Sequence, residues 1–116
     1  MKKHIILLML VLITTLVGCG KTEKADSRTL DDFVNAFEDE GYEFEIDKPI
    51  YSLINAEDGV IFYIGNSAIK IYQYKSGKEL ENAKKEIDLI SEWLQNGKFL
   101  LETNSEEAKE IFKSVE

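Results

Sequence analysis

Gly65 and Asn66 stand between two runs of strand-forming residues, Val60-Ile61-Phe62-Tyr63-Ile64 and Ser67 to Lys75, and no other feature constrains the fold as strongly. A glycine-containing pair in that position favours a two-residue hairpin turn of the II′ or I′ kind, whose twist matches that of the strands it joins. The turn sets the register. Ile64 is expected opposite Ser67, Phe62 opposite Ile69 and Val60 opposite Ile71, all on one face. The opposite face then carries Ile61, Tyr63, Lys70, Tyr72 and Tyr74.

The segments around the hairpin alternate between helical and strand patterns. Thr29 is a candidate N-cap, Asp31 and Asp32 suit the positive end of a helix dipole, and Leu30, Phe33, Val34 and Phe37 form an i, i+3, i+4, i+7 stripe that stops at Gly41. Tyr42 to Ile46 alternates as a half-buried strand does, whereas Pro49 to Ala56 shows no period and admits one helical turn begun at Pro49. Lys78 to Gln95 reads as a long helix with Leu80, Ala83, Ile87, Ile90 and Leu94 on one side, closed by Asn96-Gly97. Phe99 to Glu102 is a fourth strand. Asn104 with Glu107 suggests a variant capping box for a last helix lined by Ala108, Ile111, Phe112 and Val115. Each helix has a single apolar stripe and must lie on something. The expected architecture is an α+β two-layer sandwich, about four mostly antiparallel strands with three helices on one face.

The first residues follow a different logic. Lys2, Lys3 and His4 precede an apolar run, Ile5 to Val17, broken only by Thr14 and Thr15. Its 13 residues fall short of the roughly 20 needed to cross a bilayer, which marks an export signal. It ends in Leu16-Val17-Gly18-Cys19, which resembles the lipobox of bacterial lipoproteins. The resemblance implies cleavage between Gly18 and Cys19 and a diacylglyceryl thioether on Cys19. On that reading residues 1–18 are a signal peptide, 19–28 a lipidated, solvated tether, and 29–116 a single domain.

Removing residues 1–18, with Lys2, Lys3 and His4, leaves 98 residues with 12 basic and 22 acidic side chains, a net charge of −10. The remaining chain has no histidine, and the sulfur of its one cysteine is committed to lipid. Triads that need an imidazole base, zinc sites built on His or Cys, and dithiol redox chemistry are closed to it. The charge disfavours nucleic acid, whose binding requires phosphates to be neutralised, and also disfavours a second electrostatic contact with anionic lipid.

Three constellations remain. Glu38-Asp39-Glu40 with Glu43 and Glu45 gathers carboxylates that would suit a cation, but lacks the loop order that wraps calcium; a solvated helix end explains it more simply. Glu57-Asp58-Gly59 and Gly65-Asn66 are turn chemistry without phosphate-loop spacing. The third is the hairpin face formed by Ile61, Tyr63, Lys70, Tyr72 and Tyr74, a candidate partner face because tyrosine is enriched where proteins meet. The plainer reading is that tyrosine is a good strand former.

At Tyr51 to Gly59, Lys70-Ile71-Tyr72-Gln73-Tyr74 and Asn96 to Thr103 the chain resembles small uncharacterised lipoproteins of bacilli and related Gram-positive bacteria. That resemblance implies location and fold, and no catalytic site. The expected function is therefore a non-enzymatic binding module without metal or cofactor, held by acylated Cys19 on the extracytoplasmic face of the cell membrane and meeting an envelope partner. The alternative is a small carboxylate-dependent enzyme or a cation or sugar binder.

Overall fold

A computed structural model describes residues 26–116; Gly18, Cys19 and the rest of the expected signal and lipidation segment lie outside the described residues. The fold is α+β. A four-stranded antiparallel sheet, β1 (Asp58–Ile64), β2 (Ser67–Gln73), β3 (Leu94–Asn96) and β4 (Phe99–Thr103), runs in the order β1-β2-β4-β3. Three helices pack on it, α1 (Leu30–Asp39), α2 (Gly77–Glu86) and α3 (Glu106–Ser114).

The β1–β2 register is the expected one, with Ile64 opposite Ser67, Phe62 opposite Ile69 and Val60 opposite Ile71. Gly65 takes φ +61° while Asn66 stays at negative φ, the II′ combination that glycine at the first turn position permits. One face of the sheet collects Val60, Phe62, Ile69, Ile71, Phe99 and Leu101 under α1 and α3. Its centre is aromatic: Phe33 lies 4.3 Å from Phe99 and 5.1 Å from Phe112 between ring centroids, and Phe62 meets Phe37 edge-on and Phe44 face-on.

The helices are divided between the two faces, where the sequence reading places all three on one. Leu80 and Ala83 of α2 pack on Tyr72, Tyr74 and Leu100, on the side opposite the aromatic core. Helix α2 is also shorter than its apolar stripe suggests. Ile87 is extended (φ −115°, ψ 100°), a 3₁₀ turn follows at Asp88–Ile90, and Leu94–Asn96 becomes an edge strand paired with β4. Most of the stripe still serves one core, since Ile87 and Ile90, with Trp93, reach the α2 side from the 3₁₀ turn and its flanks, whereas Leu94 packs against the aromatic core. Tertiary pairing outweighs a local period that suits a helix. Gly97 has φ +62°, so its conformational freedom is used, but to turn β3 into β4 rather than to end a helix.

Two smaller expectations change. Tyr42 to Ile46 forms no strand of the sheet: Tyr42 and Phe44 are half-buried against the core, Ile46 is exposed, and only Asp47 makes a bridge, to Ile61. The cap of α3 is Ser105, whose Oγ accepts from the Ala108 N–H at 3.1 Å, one residue beyond Asn104. At α1 the expected cap holds, with Asp32 Oδ2 accepting from the Thr29 N–H at 2.8 Å.

With both sheet faces covered near the end of β2, Phe62→Ala and Tyr74→Ala are each expected to destabilise by about 3–5 kcal/mol, as buried aromatic truncations do. Tyr63→Ala should cost under about 1 kcal/mol. Denaturant melts of the three variants check this, and a mild Tyr74→Ala would mean that α2 does not seal its face.

Candidate functional site

The expected partner face is divided by α2 into a covered half and an open half. Tyr72 and Tyr74, expected above to belong to that partner face, are 4% and 1% accessible. Tyr74 extends beyond β2 and its hydroxyl donates to the Ile54 carbonyl at 2.5 Å, which fastens the loop before β1 over the sheet. Tyr72 stacks on Trp93 with ring centroids 6.2 Å apart, and its hydroxyl reaches Glu102 Oε1 at 3.4 Å. Burial holds the Tyr74 phenol up at about 12 and raises the Tyr72 phenol further, with Glu102 adding to the effect. Neither ring is available to a partner. Gly59 carries a signal of this cover: a Cβ there would stand 3.2 Å from both Pro49 Cγ and Tyr72 Cδ1, so glycine admits the close approach of the loop.

The open half comprises Ile61, Tyr63 and Lys70. Ile61 pairs with Lys70 across the hairpin and Lys70 with Glu102 on β4, so that Lys70 Nζ and Glu102 Oε1 form an ion pair at 3.5 Å. A recess of about 110 Å³ lies beside them, lined by Ala68, Thr103 and Asn104 as well. Tyr63 is 58% exposed. The neighbouring sheet edge is only partly closed, because Asp47 exchanges two backbone hydrogen bonds with Ile61 (2.8 and 2.9 Å) and the pairing goes no further. Two residues along, Tyr63 turns its N–H and C=O the same way, beyond the bridge.

The carboxylates Glu38, Asp39, Glu40, Glu43 and Glu45 are all exposed, and among the described residues no three acidic, His or Cys side chains come together as a metal-ligand set. Two shallow clefts of about 400 Å³ remain. One lies between α2 and residues 55–57, with Glu57, Lys75, Glu79 and Asn82 on its rim; the other follows the β3 edge beside Trp93, Glu102 and Lys109. In the first, Glu57 is already engaged by the Gln73 amide at 3.0 Å.

A further constellation has no signal in the sequence. Asp26 and Arg28, which read as tether, are docked on the domain. Arg28 makes two bonds to Asp26 (Nε to Oδ1 at 2.9 Å, Nη2 to Oδ2 at 2.7 Å), and its Nη1 donates to Asn96 Oδ1 at 3.0 Å and to the Val115 carbonyl at 2.9 Å. The guanidinium lies 5.3 and 5.6 Å from the ring centroids of Phe33 and Phe99, the range of cation–π attraction. Asn96 Nδ2 in turn donates to the Phe112 and Val115 carbonyls at the end of α3, and Asp26 Oδ2 accepts from the Lys98 N–H. A side chain on Gly97 would collide with Asp26 and Arg28, so the β3–β4 turn is shaped to receive them. The Arg28 side chain beside Asp26, with the backbone N–H groups of Lys98 and Arg28, holds the Asp26 carboxyl well below its ordinary 3.8, at about 2.

A carboxyl whose pKa falls on folding stabilises the folded state above its ordinary pKa, and that contribution is lost as pH drops through the folded value. The Asp26 contribution should therefore be complete above about pH 4 and vanish toward pH 2, amounting to no more than about 2 kcal/mol. Asp26→Asn should flatten the difference in stability from wild type over that window, and Arg28→Ala should cost about 1–3 kcal/mol at neutral pH. Acid and denaturant melts of both variants give the measurement. Compared with protein-family models, with curated proteins and with solved structures, the chain matches none of them.

Proposed function

We propose that the protein is a non-enzymatic interaction module of the bacterial cell envelope, tethered through acylated Cys19, and that it meets its partner along the open β1 edge. The observation that carries this reading is the exposure of Tyr63 (58%) on an edge strand closed by a single bridge at Asp47, with Ile46 (48%) exposed next to the bridge residue. An edge strand with unpaired backbone groups is a template for another extended segment, and an aromatic side chain beside it supplies contact area at low entropic cost. Lys70, Glu102 and the recess between them add polar selectivity to the same surface. The lipobox-like Leu16-Val17-Gly18-Cys19 and the tripartite leader support the anchor, and the lack of histidine and of a further thiol beyond Cys19 supports a binding role over a hydrolytic one.

Two measurements test it. Wild-type protein should partition into detergent, and Cys19→Ala should accumulate as a longer precursor. A photo-crosslinking residue in place of Tyr63 should capture one discrete product in intact cells. That product should be lost on Ile46→Asp, a change at an exposed site that leaves the melting temperature within a degree or two. A water-soluble, unacylated wild type would remove the anchor from the reading, and equal capture from a crosslinker at exposed Asn82 would remove the edge.

A further inference from the structure

The free backbone at Tyr63 lies in a field of one sign. Ile64 closes the turn with Ser67, so the residues of β1 alternate between β2 and the outer edge, and the two bonds of Ile61 to Asp47 put Ile61 on the outer side. Tyr63 turns its N–H and C=O the same way, where neither has a backbone partner among the described residues. Before Asp47 the chain makes no further bridge to β1, and Phe44 reaches the Phe62 ring on the aromatic side of the sheet.

From Thr29 to Tyr74 the chain carries ten acidic residues and only two basic ones, Lys48 and Lys70. Both bases are answered within the domain, Lys48 by Asp58 and Lys70 by Glu102. Glu43 and Glu45 are exposed on either side of half-buried Phe44, and Asp47 is exposed at the bridge itself. Glu38, Asp39 and Glu40 stand exposed where α1 ends and this segment begins. Tyr42 meets Glu107 of α3, which adds a further carboxylate, while the α3 lysines are taken up by Glu106 and Glu110. Lys75, Lys78, Lys84 and Lys85 belong to α2 and its approach, and Lys98 to the β3–β4 turn, all toward the Gln73 end of β2. That end of β2 pairs with Asp58, the end of β1 away from Tyr63.

An unpaired edge with uncompensated carboxylates beside it selects among extended segments. An acidic segment would set like charges on neighbouring strands, and a second copy of this chain paired edge to edge would set Glu43, Glu45 and Asp47 against their own counterparts. A basic segment gains in both respects. Main-chain bonds at Tyr63 fix its register, and its lysine or arginine side chains meet carboxylates that have no ion-pair partner among the described residues.

We infer that the partner segment is basic: an extended stretch of lysine or arginine alternating with apolar residues, paired with β1 at Tyr63 and held by Glu43, Glu45 and Asp47. The inference rests on the open edge proposed above and deepens it from a docking place to the chemistry of the partner. Complementary charge speeds encounter and rejects acidic competitors, and the bonds at the edge then retain the segment.

The experiment uses the full-length protein in uncharged detergent, with a photo-crosslinking residue in place of Tyr63, and two ten-residue probes. One alternates lysine with valine, the other glutamate with valine. The lysine peptide should be captured at position 63 and bind at least about tenfold more tightly than the glutamate peptide by anisotropy. Glu43→Gln combined with Glu45→Gln, both at exposed positions, should weaken it about 3–10-fold with the melting temperature retained. Glu81→Gln combined with Glu86→Gln, the same change of charge at exposed positions of α2, should leave it within about twofold. Equal binding of the two peptides, or full affinity of the lysine peptide for the Glu43 and Glu45 variant, overturns the basic partner and leaves the edge standing. A dimer crosslinked through position 63 in place of either peptide puts a second copy on the edge and overturns the basic partner too. Capture of nothing at position 63, whatever binds elsewhere, overturns the edge and the basic partner together.

Discussion

Burial of β2 on both faces is the constraint around which the rest of the domain is arranged. Ile69 and Ile71 are inaccessible on one side, and Tyr72 with Tyr74 is nearly so on the other. A strand in the middle of a small antiparallel sheet commonly keeps one face wet; here the closing half of β2 is dry on both. Two separate cores follow from that, an aromatic one under α1 and α3 and an aliphatic and tyrosine-rich one under α2. The polar atoms that enter the second core are matched, since the Tyr74 hydroxyl has the Ile54 carbonyl, and no described buried side-chain polar atom lacks a partner. The α2 layer stops short of the β1–β2 turn, which is why Tyr63 and Lys70 remain in reach of solvent while Tyr72 does not.

Legibility in the sequence tracked the range over which each feature is determined. The Gly65-Asn66 turn and the alternation around it are local, and the register they imply is the observed one residue by residue. The caps of α1 were local too. The early end of α2 was not: Ala83, Ile87, Ile90 and Leu94 have helical spacing, but Ile87 and Ile90 serve the α2 core from extended and 3₁₀ backbone while Leu94, on an edge strand, packs against the aromatic core. Pattern alone does not separate those backbones, because both put Ala83, Ile87 and Ile90 on one side. The tyrosine face was legible as a face but not as a covered one, although Gly59 opposite Tyr72 marks a close approach and the stripe on α2 needed a surface. The clamp left no trace, because Asp26 and Arg28 are ordinary tether residues until Asn96, 68 positions away from Arg28, is brought to them.

The functional surfaces follow from the same division. On the proposed reading, one end of the sheet receives the tether and the opposite half of the outer face keeps an open edge and an ion-paired recess for a partner. Segregating them along one sheet lets both be occupied at once. The sequence features behind the two are of different kinds: on that reading the leader and Cys19 are a processing pattern, whereas the edge depends on where Asp47 stops pairing with β1.

Arg28 also joins pieces of chain that are far apart in sequence. Through it and Asn96, residues 26–28 are fastened to the β3–β4 turn and to the carbonyls at the close of α3. On the proposed reading, tension on the tether is received at this junction and shared among residues 26–28, the β3–β4 turn and the end of α3, which lead into the aromatic core through Phe33, Phe99 and Phe112. The β1–β2 hairpin stands outside that line of force. On that reading the clamp, built of side-chain hydrogen bonds and one ion pair, is the first contact through which the tether meets the domain.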